Sequence, residues 1–185
     1  MRAHDEAEFT ELVTAVSQRL LRTGYAVCGD RQLAEDAVQS ALTSAYRSWR
    51  RVRDADSPEA YLRRMVVNEL LSWRRRKSWS ATSLRAVVPE PSPGSSPGSR
   101  VASHEDEVVD HALVWGAIGE LPPRRRAVVV LRYYEGLSEA EIADVLGIRP
   151  GTVKSQASAA LAQLRRALAD EADAAPIGDA NRKVW

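Results

Sequence analysis

Seven residues near the C-terminus have the types and the spacing to contact a nucleic acid. Arg149 and Lys154 carry positive charges that suit phosphate or guanine, and the amide of Gln156 can form two hydrogen bonds with the edge of an adenine. Mostly small residues lie between these longer side chains, and such a surface suits a groove. The residues that we predict to contact DNA are Arg149, Gly151, Thr152, Lys154, Ser155, Gln156 and Ser158.

A helix-turn-helix is predicted to position these residues. Ser138 and Glu141 form a capping box that begins its first helix, and Gly147 supplies the residue that tolerates a positive φ at the helix end. Pro150 suits the first position of the second helix, because its missing N–H would be unpaired there in any case. Apolar residues at helical spacing are predicted to face inward: Val153, Ala157, Ala160, Leu161 and Leu164. The second helix can therefore lie in the major groove.

Another helix is predicted over residues 58–77, where Ser57 and Pro58 form a cap and first-turn pair. One side of this helix is largely apolar, and Val67 is predicted on the other side with an amide and several arginines. The residues of this helix that we predict to contact DNA are Arg63, Arg64, Asn68, Arg74, Arg75 and Arg76. A basic face of this kind suits a polyanion, and a solvated face that serves solubility is the alternative.

Two further helices precede it. The first is predicted to bury a face that begins at Phe9 and to end at Gly24, and the second is predicted to begin at the N-cap Asp30. A long apolar stripe marks the second helix, and its members are Ala34, Ala37, Val38, Ala41, Leu42, Ala45, Tyr46 and Trp49. Its other side presents Asp36 and Gln39, and a short loop over residues 52–56 is expected to follow.

Charge is strongly segregated along the 185 residues, although the net charge is only +1. Residues 46–77 carry ten Arg and Lys against four Asp and Glu, and residues 122–168 carry eight against four. Residues 101–121, between these blocks, carry five acids and neither Arg nor Lys. The two basic blocks favour two separate places where a polyanion could bind.

Several function classes are disfavoured by the composition. Cys28 is the only cysteine, which rules out an internal disulfide framework and a cysteine zinc site. His4, His104 and His111 are scattered without metal-ligand spacing, and we find neither a phosphate-binding glycine loop nor a nucleophile motif. No run approaches the length of a membrane span, and the N-terminus does not resemble a signal peptide. We therefore expect no enzyme activity, no metal, no cofactor, no small-molecule substrate and no membrane contact.

A segment rich in Pro, Ser and Gly separates the two basic parts of the chain. We predict a domain at residues 1–77, a flexible linker at 78–104, a second domain at 105–168 and a disordered tail at 169–185. No convincing strand pattern occurs on either side. The predicted fold is therefore all-α, with two small helical domains of which the second contains the helix-turn-helix.

Two sequence signatures follow one another along the chain. The first includes residues 34–39 (AEDAVQ) and 57–62 (SPEAYL), and the second includes residues 137–143 (LSEAEIA) and 151–155 (GTVKS). In these signatures the chain resembles the small two-domain sigma factors of bacterial RNA polymerase, the extracytoplasmic-function group. The resemblance covers roughly residues 9–168. A helix-turn-helix alone is moderately specific, whereas both signatures separated by a linker are strongly specific.

This resemblance implies a role for each part of the chain. Asp36 and Gln39 would contact the coiled-coil clamp of core RNA polymerase, and a solvated helix face is the alternative for them. The helix over residues 58–77 would bind the −10 promoter element, with phosphates on its arginines and a flipped base held by Asn68 and residues 52–56. The helix-turn-helix would bind the −35 element as duplex. The implied partners are core polymerase, promoter DNA and, in some members, an anti-sigma factor, all in the cytoplasm.

One alternative function stays open at this point. A one-component transcription regulator, whose N-terminal helices sense a ligand or dimerise, would also explain the helix-turn-helix. It would not explain the basic run Arg74, Arg75 and Arg76 or the lack of a sensor domain.

Residues 124–126 are three further arginines that would touch phosphate, polymerase or only water.

Overall fold

The computed structural model describes residues 3–76 and 104–174, and within these ranges the chain is helical without strands. The helices are α1 (Ala3–Cys28), α2 (Arg31–Arg47), α3 (Trp49–Arg53), α4 (Pro58–Arg76), α5 (His104–Glu120), α6 (Pro123–Val129), α7 (Glu139–Leu146) and α8 (Pro150–Ala174), with a π-helical segment Val130–Tyr134 after α6. The all-α prediction is confirmed. Most of the predicted linker lies outside the described residues, as do residues 175–185 of the predicted tail.

Helices α1, α2 and α4 pack together as a three-helix bundle. Asp30 caps α2 as predicted, since its carboxylate accepts a hydrogen bond from the backbone N–H of Leu33 at 3.0 Å. Small residues on the buried side of α2, among them Ala34, Ala37 and Ala41, let the neighbouring helices approach closely. Tyr46 was predicted on this buried stripe but is 44% exposed, and its hydroxyl donates to the carboxylate of Glu6.

The predicted end of α1 at Gly24 is wrong. The helix continues to Cys28, and Gly29, with a φ of 73°, follows its end. A β-carbon at position 24 would lie 3.4 Å from the Cβ of Ala34 and 3.5 Å from Val66. Gly24 therefore serves the close packing of α1 against α2 and α4 rather than a turn.

The connection between α2 and α4 contains the short helix α3, which also takes Trp49 out of the predicted second helix. Val52 and Arg53 belong to α3, and Val52 is fully buried. Only residues 54–57 separate α3 from α4. The predicted base-binding loop at residues 52–56 is thus partly helical, because Val52 contributes to the core of the bundle.

Helices α5 to α8 form the second domain, and in its helix-turn-helix the start and end of α7 and the start of α8 are as predicted. The hydroxyl of Ser138 accepts from the N–H of Glu141, whose carboxylate accepts in turn from the N–H of Ser138 at 2.8 Å. Gly147 has a φ of 62° and ends α7, and Pro150 begins α8. Helix α8 continues to Ala174, beyond Leu168, where the tail was predicted to begin.

The two domains share a continuous apolar core. Helix α4 contacts α6 and α7, and α1 contacts α6 and the π-helical segment. Buried residues of both domains, such as Leu62 and Leu131, belong to one cluster. The sequence indicated two bundles on a tether, whereas the structure brings them into direct contact.

Candidate nucleic-acid and polymerase interfaces

The first candidate surface is the N-terminal half of α8. Val153 and Ala157 are buried against the rest of the domain, which turns the opposite side of the helix to solvent. Among the predicted contact residues, Thr152 and Gln156 are half-buried, and the exposed ones are Arg149, Gly151, Lys154, Ser155 and Ser158. The predicted residues therefore share one accessible surface of about two turns of helix.

Two side chains of this surface have distinct environments. The hydroxyl of Ser155 donates to the backbone carbonyl of Thr152 at 3.0 Å, so it is engaged within its own helix. The side-chain oxygen of Gln156 is buried and has no hydrogen-bond partner within the described part of the chain. An amide left in this state gains a hydrogen bond when its side chain turns toward a polar ligand.

The second candidate surface, on α4, contacts the helix-turn-helix domain through Arg63, Arg64 and Asn68, although the side chain of Arg64 stays 45% exposed. The guanidinium of Arg63 lies 3.3 Å from the carboxylate of Glu135, and that of Arg64 lies 3.1 Å from Asp144. The side-chain nitrogen of Asn68 donates to the backbone carbonyl of Val145 at 3.0 Å. Three of the residues on α4 that we predict to contact DNA therefore pair with groups of the second domain in this structure.

Val67 lies on the same helix between these residues and is fully buried, not outward-facing as predicted. The physical reason is the packing of α6 and α7 against α4, which covers a side that the sequence pattern leaves to solvent. Arg74, Arg75 and Arg76 form the end of α4, and their side chains lie outside the described part of the structure.

A buried arginine was missed by the sequence analysis. Arg126 is 2% exposed, and its guanidinium donates to the backbone carbonyl of Cys28 at 3.3 Å. This carbonyl belongs to the last residue of α1, where the negative end of the helix dipole favours a cation. A run of three arginines gives no signal that one of them is buried, because the acceptor comes from the other domain.

The third candidate surface is the exposed side of α2. Asp36 and Gln39 are both exposed, and the carboxylate of Asp36 accepts a hydrogen bond from the side-chain amide of Gln32 at 3.1 Å. Beside Gln39, a groove of about 680 Å³ runs between α1 and α2, with Val13 and Leu42 among its apolar lining residues. An acid and an amide beside an apolar groove suit a helix that carries arginines and aliphatic side chains.

Among the described residues, no three His, Cys, Asp or Glu side chains are grouped as a metal site would require. No helix within the same residues combines the length and the apolarity needed to cross a membrane.

Two family models match this chain, each on one domain. Residues 12–80 match the model described as Sigma-70 region 2, and residues 111–164 match the model described as Sigma-70, region 4. The first match spans α2, α3 and α4, and the second spans the helix-turn-helix. The candidate surfaces on α2 and α4 therefore lie in a region 2 domain, and the one on α8 lies in a region 4 domain.

Similar proteins and structures agree with this assignment. The RNA polymerase sigma-E factor of Streptomyces antibioticus is 38% identical over 161 residues, which are 87% of this chain and 84% of the relative. The ECF RNA polymerase sigma factor SigL of Mycobacterium tuberculosis is 32% identical over 150 residues, 80% of this chain and 82% of the relative.

Among solved structures, the sigma factor RpoE of Bartonella quintana, in complex with the anti-sigma factor NepR, aligns with a TM-score of 0.64 at 22% identity, over 87% of this chain and 96% of that one. CnrH in complex with the cytosolic domain of CnrY aligns with a TM-score of 0.58 at 21% identity, over 89% and 90%. These structures share the fold. The matched domains and the identity over most of both chains show that this protein belongs to the extracytoplasmic-function sigma factors, the initiation factors of bacterial RNA polymerase.

Proposed function

We propose that this sigma factor binds the −35 element as duplex through α8 and the −10 element as an opened strand through α4. The observation that carries the proposal is the presence of two separate polar surfaces, one on each domain. Each surface holds side chains that pair with phosphates and base edges, and the helix-turn-helix supplies a helix of the right exposure for a groove.

At the −35 element, the positive charges of Arg149 and Lys154 contact phosphate or guanine, and Gln156 bonds a base edge. The backbone N–H of Gly151 lies at the N-terminus of α8, where the helix dipole attracts a phosphate, whereas the N–H of Thr152 donates to the carbonyl of Arg149 at 2.8 Å and would have to be shared with that phosphate. Most of the surface is small and uncharged, which favours close approach to the groove.

At the −10 element, Asn68 bonds a base that leaves the stack. Extracting a base costs a few kcal/mol, and hydrogen bonds to its edge return part of that cost. Arg63 and Arg64 hold phosphates beside it, together with Arg74, Arg75 and Arg76 at the end of the helix. Residues 54–57 form the loop that lies between α3 and α4, and they take the role in holding the flipped base that the sequence assigned to residues 52–56.

Core polymerase binds the exposed side of α2, with Asp36 and Gln39 against basic residues of the partner. The factor performs no covalent chemistry itself and acts in the cytoplasm, where the polymerase is. Because RpoE and CnrH occur in complexes with NepR and CnrY, an anti-sigma partner is also proposed for this chain.

A reconstitution experiment tests this function. The full chain is mixed with Streptomyces core RNA polymerase and genomic DNA of a Streptomyces species, and the transcripts are sequenced. We expect new start sites that share spaced −35 and −10 motifs and that depend on the added chain. Tight binding of a symmetric dimer to duplex DNA, without association with polymerase, would instead support the one-component regulator.

A further inference from the structure

A cavity of about 470 Å³ lies beside α3, and three arginines line it. Arg47 is the last residue of α2, and Arg50 and Arg51 belong to α3. All three are exposed, and none takes part in the ion pairs formed within the described part of the chain. The neighbouring Arg53, by contrast, pairs with Asp5 at 3.1 Å. The cavity has the size of a small-molecule site and a local excess of positive charge.

Trp49 also lines this cavity, and its indole N–H is a buried donor. The residue is 5% exposed, and its Nε1 atom has no hydrogen-bond partner among residues 3–76 and 104–174. The ring lies 5.4 Å from that of Phe9 in a T-shaped arrangement, which orients the indole. Because almost all buried N–H groups in proteins are paired, an unpaired one beside a cavity points to a polar occupant.

The other polar side chains of the cavity wall are already engaged. The hydroxyl of Tyr46 donates to the carboxylate of Glu6 at 3.1 Å, and that of Ser48 donates to the carbonyl of Ser44 at 2.8 Å. The carboxylate of Asp5 is held by the ion pair described above. The hydrogen-bonding capacity left in these side chains therefore consists mainly of an indole and three guanidinium groups, which are all donors. A ligand that satisfies them must supply acceptors and negative charge.

We propose that this cavity binds the phosphate group of a small phosphate monoester. Guanidinium groups pair with phosphate oxygens in bidentate fashion, and a monoester carries about −1.5 to −2 charges at neutral pH on three free oxygens. A phosphodiester within a DNA strand offers less charge and fewer free oxygens, and it continues as a chain on both sides. Since the Nε1 atom of Trp49 is buried, it reaches the ligand through a small shift of the ring or through a bridging water.

This site is independent of the DNA-binding roles given above to α4 and α8. Its wall comes from α1, the end of α2 and α3, so a bound phosphate would hold these three elements together. Occupancy would stabilise the first domain by mass action.

The test is isothermal titration calorimetry of the full chain with inorganic phosphate, at about pH 7.5 and constant ionic strength, with dimethyl phosphate as the diester control. The cavity variant is Arg50→Gln with Arg51→Gln. Its matched control is Arg165→Gln with Arg166→Gln, because these are also two adjacent exposed arginines, on α8. Trp49→Phe removes the indole N–H and keeps an aromatic ring.

We expect the wild type and the control variant to bind phosphate with affinities that agree within about twofold. The cavity variant should bind phosphate about tenfold more weakly or worse, because charge-assisted hydrogen bonds are lost, and Trp49→Phe about threefold to tenfold more weakly. Dimethyl phosphate should bind the wild type at least about tenfold more weakly than phosphate. Absence of phosphate binding, equal losses in both double variants, equal affinity for the diester or unchanged affinity in Trp49→Phe would overturn the proposal.

Two further measurements keep the result interpretable. If Trp49→Phe unfolds the first domain, as judged by circular dichroism, the arginine variants decide alone, since their side chains are exposed. Anisotropy of a fluorescein-labelled single strand measures binding to DNA, and both double variants should lose strand affinity equally because each lacks two charges. A larger loss in the cavity variant would assign Arg50 and Arg51 to the promoter strand and overturn the proposal.

Discussion

The side-chain amide of Asn68 on α4 donates a hydrogen bond to the backbone carbonyl of Val145 on α7, with 3.0 Å between nitrogen and oxygen. The bond joins the two domains through the residue that we expect to hold a flipped base. A backbone carbonyl and a base carbonyl accept the same kind of hydrogen bond, so the acceptor that Asn68 has here is of the type proposed for it in a base.

We predict that Asn68→Ala reduces promoter opening and leaves polymerase binding unchanged. Loss of the hydrogen bond to the flipped base should cost about 1–2 kcal/mol, which is roughly a tenfold loss of open complexes. Permanganate reactivity of thymines at −10 measures opening, and co-purification with core polymerase measures binding. Gln163→Ala, an amide truncation on α8, is the control, and unchanged opening in Asn68→Ala would contradict the assigned role.

Lys154→Ala and Gln156→Ala are expected to weaken transcription only from promoters that contain a −35 element. Removing the charge of Lys154 should lower the slope of affinity against salt by about one, because one fewer counterion is released. Removing the amide of Gln156 should instead relax base preference at one position, at about 1–3 kcal/mol. Binding to duplexes with single substitutions separates the two effects, and equal losses on promoters without a −35 element would argue against both assignments.

Asp36→Arg should abolish polymerase binding without unfolding the domain. The side chain of Asp36 is exposed, and its described hydrogen bond is with Gln32, which is exposed as well. The substitution should therefore cost little folding free energy. It places a positive charge against a basic partner, and like charges across an interface oppose binding. Glu11→Arg, on an exposed position of α1, provides the matched charge reversal. Retention of polymerase by Asp36→Arg would place the interface elsewhere.

The elements that the sequence predicted well are those whose ends depend on local chemistry. The capping box of Ser138 and Glu141 and the left-handed Gly147 act within a few residues, so their effect does not depend on the remainder of the fold. The N-cap Asp30 and the first-position Pro150 also act locally and are predicted correctly for the same reason. The start and end of α7 and the start of α8 follow from these residues alone.

The features that sequence reasoning missed depend on distant partners. Gly24 carries the same local signal as a helix end, and only the nearness of Ala34 and Val66 reveals it as a packing position. Arg126 and Val67 appeared to face solvent because their covering groups come from the other domain. Helical periodicity identifies which residues share a face, but it does not identify the element that covers a second face.

Two glycines in helix interiors should respond in opposite ways to the same substitution. Gly24→Leu places side-chain atoms against Ala34 and Val66 and should lower the free energy of unfolding by about 1–3 kcal/mol. At Gly116, no atom of a neighbouring described residue lies within 4 Å of the place that a β-carbon would occupy, so Gly116→Leu should raise the free energy of unfolding by several tenths of a kcal/mol, roughly the difference in helix propensity. Urea denaturation followed by circular dichroism measures both, and destabilisation of equal size would contradict the packing role of Gly24.

The capping box should make stability depend on pH through Glu141. The hydroxyl and the backbone N–H of Ser138 bond the ionised carboxylate, with a smaller effect from the charge of Arg63, and they lower the pKa of Glu141 below its ordinary value of 4.5. A carboxyl whose folded-state pKa is depressed adds stability above its unfolded pKa, and this contribution is lost as the pH falls through the lower value.

Glu141→Gln isolates that contribution, because glutamine keeps an acceptor for the N–H of Ser138 but does not titrate. The free energy of unfolding of the wild type relative to this variant should stay constant from about pH 7 to about pH 6 and decrease as the pH falls below about 4.5. Taking the difference between the two proteins cancels the titration of all other carboxyls that the substitution does not perturb. A difference that does not change between about pH 6 and pH 3 would show that the carboxylate of Glu141 is not held by the cap in solution.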